Sequence, residues 1–320
     1  MIKKSMCSLL IIMLGIVLIG GAIASAKYPE KPITMIVMYG PGGNSDIFAR
    51  TLAPGLEEYL GVDIVVKNVD GGGGALGFNE AYTAKPDGYT VTIPNNALFT
   101  LEGMGYVGFG YEDFDMLARI VLEDYTLTVN ADAPWDDFDD FVKDVKANPG
   151  TYTIASSGVG SSSDIVAKVL LDQLGLDMDI IPYDGGTGPL TAVMGKHVDA
   201  CVNSPGEVIS AVEGGDVKTL AILGEERNHL LPDVPTLEQI GYDFAVNQWR
   251  GIGTPAGVSE EVKEIWAEAI EHAVNSPEFI DIIEEQWGST ISTAYGEELD
   301  DFVERMANIF IPYAREAVQN

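Results

Sequence analysis

The sequence is short of cysteine, of positive charge and of histidine, and each shortage closes off a class of function. There are two cysteines: Cys7 precedes an apolar N-terminal run, which leaves Cys201 for the rest of the chain. One thiol cannot close an internal disulfide, so stability has to come from buried cores even in an oxidising compartment. Cys201 lies in the apolar stretch 198–202 and reads as a small buried hydrophobe. Lys and Arg number 18 against 49 Asp and Glu, a net charge of −31. Nucleic-acid binding needs a basic footprint and is excluded; docking on anionic lipid is disfavoured. The acidic residues are spread along the chain, as on a solvated, self-repelling surface, and identify no partner by themselves. His197, His229 and His272 are far apart and share no motif. No zinc spacing, nucleophile elbow, calcium loop or phosphate loop of the Walker type occurs, so no metal, no cofactor and no catalytic residue is expected.

Long apolar runs are also missing, with one exception. Lys3 and Lys4 precede an almost unbroken apolar run from Ser8 to Ile23, followed by Ala24-Ser25-Ala26. This is the pattern of a secretory signal peptide cut after Ala26, and residues 1–26 are set apart from the fold. The alternative is an uncleaved anchor, since the run approaches a membrane span. The expected location is the periplasm.

What remains alternates between strand-like and helix-like segments. Ile33–Met38, Ile64–Val66 and Tyr89–Ile93 read as strands, with a helical spacing of Ile47, Phe48, Leu52 and Leu56 between the first two. The middle repeats the scheme with strands at 126–129, 152–155, 180–182, 200–202 and 219–223, and the acidic C-terminal part is helical. Such alternation gives α/β sheets flanked by helices. A length of 320 residues suits two lobes, and no Pro/Gly/Ser linker divides them, so the chain is expected to cross between lobes more than once. The expected lobes are 27–120 with 225–320, and 121–224.

Three Gly- and Ser-rich loops each follow a strand and open a helix. The first is Tyr39-Gly40-Pro41-Gly42-Gly43-Asn44-Ser45-Asp46, the second runs from Ala155 through Ser156, Ser157, Gly160, Ser161 and Ser162 to Asp164, and the third carries Tyr183, Gly185 and Gly186. A helix start leaves amides unpaired and carries partial positive charge, so such loops form an anion site without a basic side chain. Read blandly, the same glycines and serines are ordinary turn and cap residues. Asp46 and Asp164 read as first-turn carboxylates favoured by the dipole, or alternatively as an acid/base pair facing across a cleft. Gly72-Gly73-Gly74-Ala75-Leu76-Gly77 fits a dinucleotide fingerprint but lacks the acidic residue expected ~20 positions on.

An ordered set of motifs runs along the chain, beginning with Tyr28-Pro29-Glu30-Lys31-Pro32-Ile33 and Pro41-Gly42-Gly43 with Asp46. It continues through Gly71–Gly77, Pro86-Asp87-Gly88-Tyr89-Thr90, Asn148-Pro149-Gly150, Ala155-Ser156-Ser157-Gly158, Pro182-Tyr183 and Val198-Asp199. Leu231-Pro232-Asp233-Val234-Pro235-Thr236, Trp249, Gly251 and Pro255-Ala256-Gly257 complete it. The ordered set resembles the tripartite tricarboxylate transporter receptors, also called the Bug family.

The resemblance implies a two-lobed periplasmic binding protein of type II, a Venus flytrap with mixed sheets. Such a protein closes on a small organic carboxylate and delivers it to integral membrane transporter subunits; a monomer is expected. It also implies that the loops matching Gly42–Asp46 and Ser156–Ser162 hold the proximal carboxylate, partly through water. Two departures stand out: Asp164 where the family often has His, and Arg250 after Trp249 where it usually has an apolar or aromatic residue. Arg250 is expected either to clamp a second carboxylate or to form a surface ion pair. Asn95, Asn96 and Asn203 are expected as polar readers of the ligand body, with Tyr39, Phe99 and Tyr183 as walls. A sensor of carboxylates, and an enzyme using Asp46 and Asp164, are the alternative functions.

Overall fold

The computed structural model describes residues 28–183 and 187–318. The N-terminal unit comprises residues 1–30, of which 28–30 are described and include a cis Tyr28–Pro29 bond. The expected signal peptide and its cleavage site therefore lie outside the described residues, as do Gly185 and Gly186.

The body from Lys31 onward carries two sheets. In chain order its first elements are strand β1 (Ile33–Val37), helix α1 (Asn44–Leu60), β2 (Ile64–Asn68), α2 (Ala75–Tyr82), β3 (Thr90–Thr92), α3 (Asn96–Gly103) and β4 (Phe114–Glu123). Then come β5 (Thr126–Asn130), α4 (Phe138–Ala147), β6 (Thr153–Ser156), α5 (Ser162–Leu174), β7 (Asp179–Pro182), α6 (Thr187–Met194), β8 (Ala200–Asn203), α7 (Pro205–Glu213) and β9 (Val217–Ile222). The chain ends with β10 (Gln248–Pro255), α8 (Glu260–Val274), α9 (Pro277–Ile280), a π-helical turn Asp281–Gln286, β11 (Thr290–Ala294) and α10 (Gly296–Ala317).

The first sheet has the order β11-β4-β10-β3-β1-β2 and the second β7-β6-β8-β5-β9. Both are mixed. In the first, β1 pairs in parallel with β2 and β3, while β10 runs antiparallel to β3 and β4. In the second, β6 pairs in parallel with β7 and β8, and β5 runs antiparallel to β8 and β9. Parallel pairing needs a crossover of a dozen or more residues, which α1, α2, α5 and α6 supply.

The chain passes between the sheets at Asp124-Tyr125 and again within 223–247. These crossings lie side by side: the Leu223 amide donates to Tyr125 O at 2.7 Å and the Val246 amide to Leu223 O at 2.8 Å. The core is not split at the crossings. Phe138, Phe141 and Leu170 beside the second sheet belong to the same apolar cluster as Trp249, Phe302 and Phe310 beside the first. The helices form because their apolar residues recur at helical spacing and their starts are capped: Asp137, Ser161 and Ser259 each accept from an amide of the first turn. Among the described residues no helix is long and apolar enough to cross a membrane.

Candidate functional site

The loops at the carboxyl ends of β1, β6 and β8 each lead into a helix, and those three helix starts meet around one cavity. Its first chamber, about 220 Å³, is lined by Asn44 from α1, by Ser157, Ser162 and Ser163 around the start of α5, and by Ser204 and Glu207 at the start of α7. Glu123, Asp124, Tyr125, Val202, Asn203 and Gln248 complete it. A second chamber of about 400 Å³ shares Ser157 and Ser162 and adds Tyr39, Gly72, Gly73, Met104, Tyr106 and Gly160. A third, about 180 Å³, shares Asn44, Glu123, Asp124, Ser204 and Glu207 and ends at Trp287. Strand residues of both sheets line the first chamber, and loops and helix starts that follow strands of both sheets line the other two.

The loops are held by their own carboxylates. Asp46 is buried, and its oxygens accept from the Gly42 amide at 2.8 Å, Arg50 Nε at 2.9 Å and Asn68 Nδ2 at 2.9 Å. Burial opposes its charge, but these bonds win and hold its pKa below the ordinary value. Asp164 ties down the second loop, accepting from the Gly160 amide at 2.8 Å, Lys168 Nζ at 2.8 Å and Ser156 Oγ at 3.2 Å. Each carboxylate is turned into its own helix start. The acid/base pair facing across a cleft is therefore not formed, and the first-turn reading is the one the geometry follows.

Several expected ligand contacts are likewise internal. Asn95 caps α3, accepting from the Ala97 amide at 2.9 Å, and Asn96 donates to Asn247 O at 3.0 Å. Phe99 is not a cavity wall. It is fully buried among Tyr111, Trp249 and Phe310 because α3 turns it into the core. Tyr183 lies against the small core of the second sheet, its amide bonded to Ser156 O at 2.8 Å, and does not line the chambers. Pro41, Gly42 and Gly43 are exposed and shape the turn, leaving Tyr39 and Asn44 as the lining residues of that loop. Tyr39, Ser157, Gly160, Ser161, Ser162 and Asn203 do line the chambers.

Arg250 follows neither expectation. It is 4 % exposed, ion-paired with the equally buried Glu123, and set beside Ser45 Oγ and the Trp287 ring. Burial pulls its pKa down to about 10, which leaves it protonated at neutral pH.

The residues that sequence reasoning missed are acidic. Glu123 and Asp124 end an apolar run, Ile120-Val121-Leu122, at the crossing between sheets. Two charges closing a buried strand were the available signal. Asp124 Oδ1 accepts from Asn247 Nδ2 and Oδ2 from Asn228 Nδ2, both at 3.1 Å. Burial is the largest cause that raises its pKa to about 6, with Glu225 and Glu226 adding to it and the two asparagines opposing. A carboxyl raised in the fold binds its proton more tightly when native, so its contribution to stability falls as pH rises from about 4 to 6 and stays low above. At pH 7.5 the charged form costs ~3 kcal/mol relative to the unfolded chain. Asp124→Asn is expected to raise apo stability at pH 7.5 by up to about that amount. It should also flatten the pH dependence between 4 and 6, as read by urea unfolding. A variant that is less stable at pH 7.5, with the same pH slope, would contradict this.

The sequence profile of the tripartite tricarboxylate transporter family receptor matches residues 48–299. The chain is 30% identical over 262 residues to a protein encoded in the TAR-I ttuE-ttuC' intergenic region of Agrobacterium vitis, covering 81% of this chain and 75% of that one. A TctC solute-binding protein from Polaromonas, solved without ligand, superposes with a TM-score of 0.83 at 28% identity, covering 90% of this chain and 99% of its own. MatC from Rhodopseudomonas palustris, solved with bound malate, shares the fold at a TM-score of 0.68 and 23% identity, over 91% of this chain and 100% of its own. The family and its solved members are solute-binding receptors, which agrees with reading the chain as a binding protein and not as an enzyme. With its cavity at the carboxyl ends of the strands and its profile match across most of the body, the chain belongs to the receptor family of the tripartite tricarboxylate transporters.

Proposed function

We propose that the chain is an exported periplasmic receptor that captures a small organic carboxylate between its sheets and passes it to the membrane subunits of a tripartite tricarboxylate-type transporter. The observation that carries the reading is the meeting of three helix starts, α1, α5 and α7, around one cavity. Their leading amides and the hydroxyls of Ser157, Ser162 and Ser163 offer donors to an anion, and the dipoles add to the attraction. The very negative exterior does not prevent this, because far charges are screened beyond ~8–10 Å while the donors act at contact. The malate bound to MatC, a distant relative in fold, fits a carboxylate guest. In this reading the signal peptide is cut after Ala26, the protein acts as a monomer, and the lobes 27–120 with 225–320 and 121–224 close over the guest about the crossings near Asp124 and Gly224.

A thermal-shift screen of organic acids, amino acids and sugars tests it. A true ligand at 100 times its Kd is expected to add ~2.7 kcal/mol to stability. Ser162→Val, which removes a hydroxyl lining two chambers, should weaken binding about tenfold, the equivalent of one lost hydrogen bond to a charged group. A response to sugars alone, or undiminished binding by Ser162→Val together with Ser157→Val, would refute the carboxylate reading. Loss of uptake in a deletion strain separates delivery from sensing.

A further inference from the structure

Charge inside the cleft is not arranged as a doubly negative guest would need. Asp124 is 7 % exposed and lines the first and third chambers. Its bonded partners are the neutral amides of Asn247 and Asn228. Glu207 lines the same two chambers; its Oε2 accepts from Asn203 Nδ2 at 2.8 Å and from the Ser204 amide at 3.1 Å. Arg250, the cation nearby, is already paired with Glu123. Neither Asp124 nor Glu207 has an ion-pair partner among the described residues. A buried carboxylate without a counter-charge, facing an empty chamber, calls for a ligand that brings the positive charge.

The cavity thus carries groups of both kinds. Helix starts and serine hydroxyls present donors, and Asp124 and Glu207, the latter in the first turn of α7, present acceptors among them. A metal ion is not the natural counter-charge: among the described residues no three carboxylates, thiols or imidazoles are grouped to hold one. An organic cation spans separated acceptors, and a group carrying it on a short chain fits chambers of about 220 and 180 Å³. We infer that the guest is a small zwitterion, its carboxylate held at the start of α5 and its protonated amine held by Asp124 and Glu207. A second carboxylate in the amine's place would meet like charge in a desolvated site. This rests on the carboxylate reading above and narrows it.

The test is calorimetric titration of the full mature protein with chain-matched sets. Each set holds an amino acid, a hydroxy acid and a dicarboxylate of equal length: β-alanine, 3-hydroxypropionate and malonate; 4-aminobutyrate, 4-hydroxybutyrate and succinate; 5-aminopentanoate, 5-hydroxypentanoate and glutarate. In at least one set the amino acid is expected to bind at least tenfold more tightly than both partners, and Asp124→Asn should erase most of that preference. Glu207→Gln, an exposed change that leaves the core untouched, should reduce the same preference and serves if the first variant folds poorly. Tightest binding by a dicarboxylate or hydroxy acid overturns the zwitterion while the carboxylate reading stands. A preference unchanged in both variants overturns it too. Silence across all nine compounds removes both readings.

Discussion

Arg250→Met is expected to destabilise the fold by about 3–5 kcal/mol at pH 8. The residue lies on β10 opposite Val121 of β4, so Glu123 is its diagonal neighbour across the strand pair. Both side chains are buried, at 4 % and 7 % exposure, and each neutralises the other. Removing the guanidinium leaves Glu123 charged in a desolvated site, and that orphaned charge, more than the lost attraction, sets the size of the effect. The sign with pH follows. An orphaned carboxyl has a raised pKa, so the deficit should be largest at pH 8 and shrink as the pH falls and the group takes a proton. Adding Glu123→Gln should restore stability to within ~1 kcal/mol of the parent, since replacing both members of a buried pair is often near neutral. Guanidinium unfolding of the parent and the two variants at pH 5 and 8 reads this directly. A loss under 1 kcal/mol for the single variant, or no recovery in the double, would mean that water reaches the pair.

Gly251→Ala should cost about 3 kcal/mol, at the upper end of what overpacking does. A Cβ at this position would collide with the Ala118 carbonyl oxygen of the neighbouring strand and lie 3.0 Å from the Trp249 ring. Neither neighbour can yield. The carbonyl belongs to β4, and Trp249 is fully buried between Phe99 and Phe302. The strand register shifts between Arg250 and Gly251, so the bare glycine marks where β10 presses closest on its partner. Gly253, two residues on, supplies the control. There the added carbon meets Met116 Sδ at 3.3 Å and Pro94 Cγ at 3.4 Å, and the flexible thioether can move. Gly253→Ala should cost less than ~1.5 kcal/mol. Equal losses at the two positions would show that the β4 carbonyl is not the obstacle.

The strands that sequence reasoning found are those whose residues are uniformly apolar and bounded by turns. Ile33–Val37 and Ala200–Asn203 are buried on both faces, and hydrophobic runs of that length have few other readings. β10 escaped because Gln248-Trp249-Arg250-Gly251-Ile252-Gly253-Thr254-Pro255 carries two glycines, a charge and a terminal proline. Its strand character comes from pairing with β3 and β4, which no local window contains. β4 was missed for a related reason: Asp115 and Arg119 interrupt its pattern and are satisfied by partners distant in sequence, the Gly257 amide and Ser292. The serine-rich loop before α5 was legible because capping chemistry is local. The acidic side of the cavity was not, because Asp124 and Glu207 are 83 positions apart and meet through the antiparallel pairing of β5 and β8. Asp46 and Asp164 were noticed for the right residue type, yet a sequence cannot say whether a carboxylate bonds backward into its own turn or outward.

Cys201 is the free cysteine of the described residues, fully buried in the second sheet, and burial pushes its thiol well above the ordinary range. It is therefore inert to alkylating dyes while the fold persists. Val159, 67 % exposed at the rim of the second chamber, is the opposite kind of site. A single Val159→Cys exchange would add one addressable sulfur at the rim of the second chamber. Among the described residues no other thiol is accessible to compete with it, which suits the body to conversion into a reagentless fluorescent reporter.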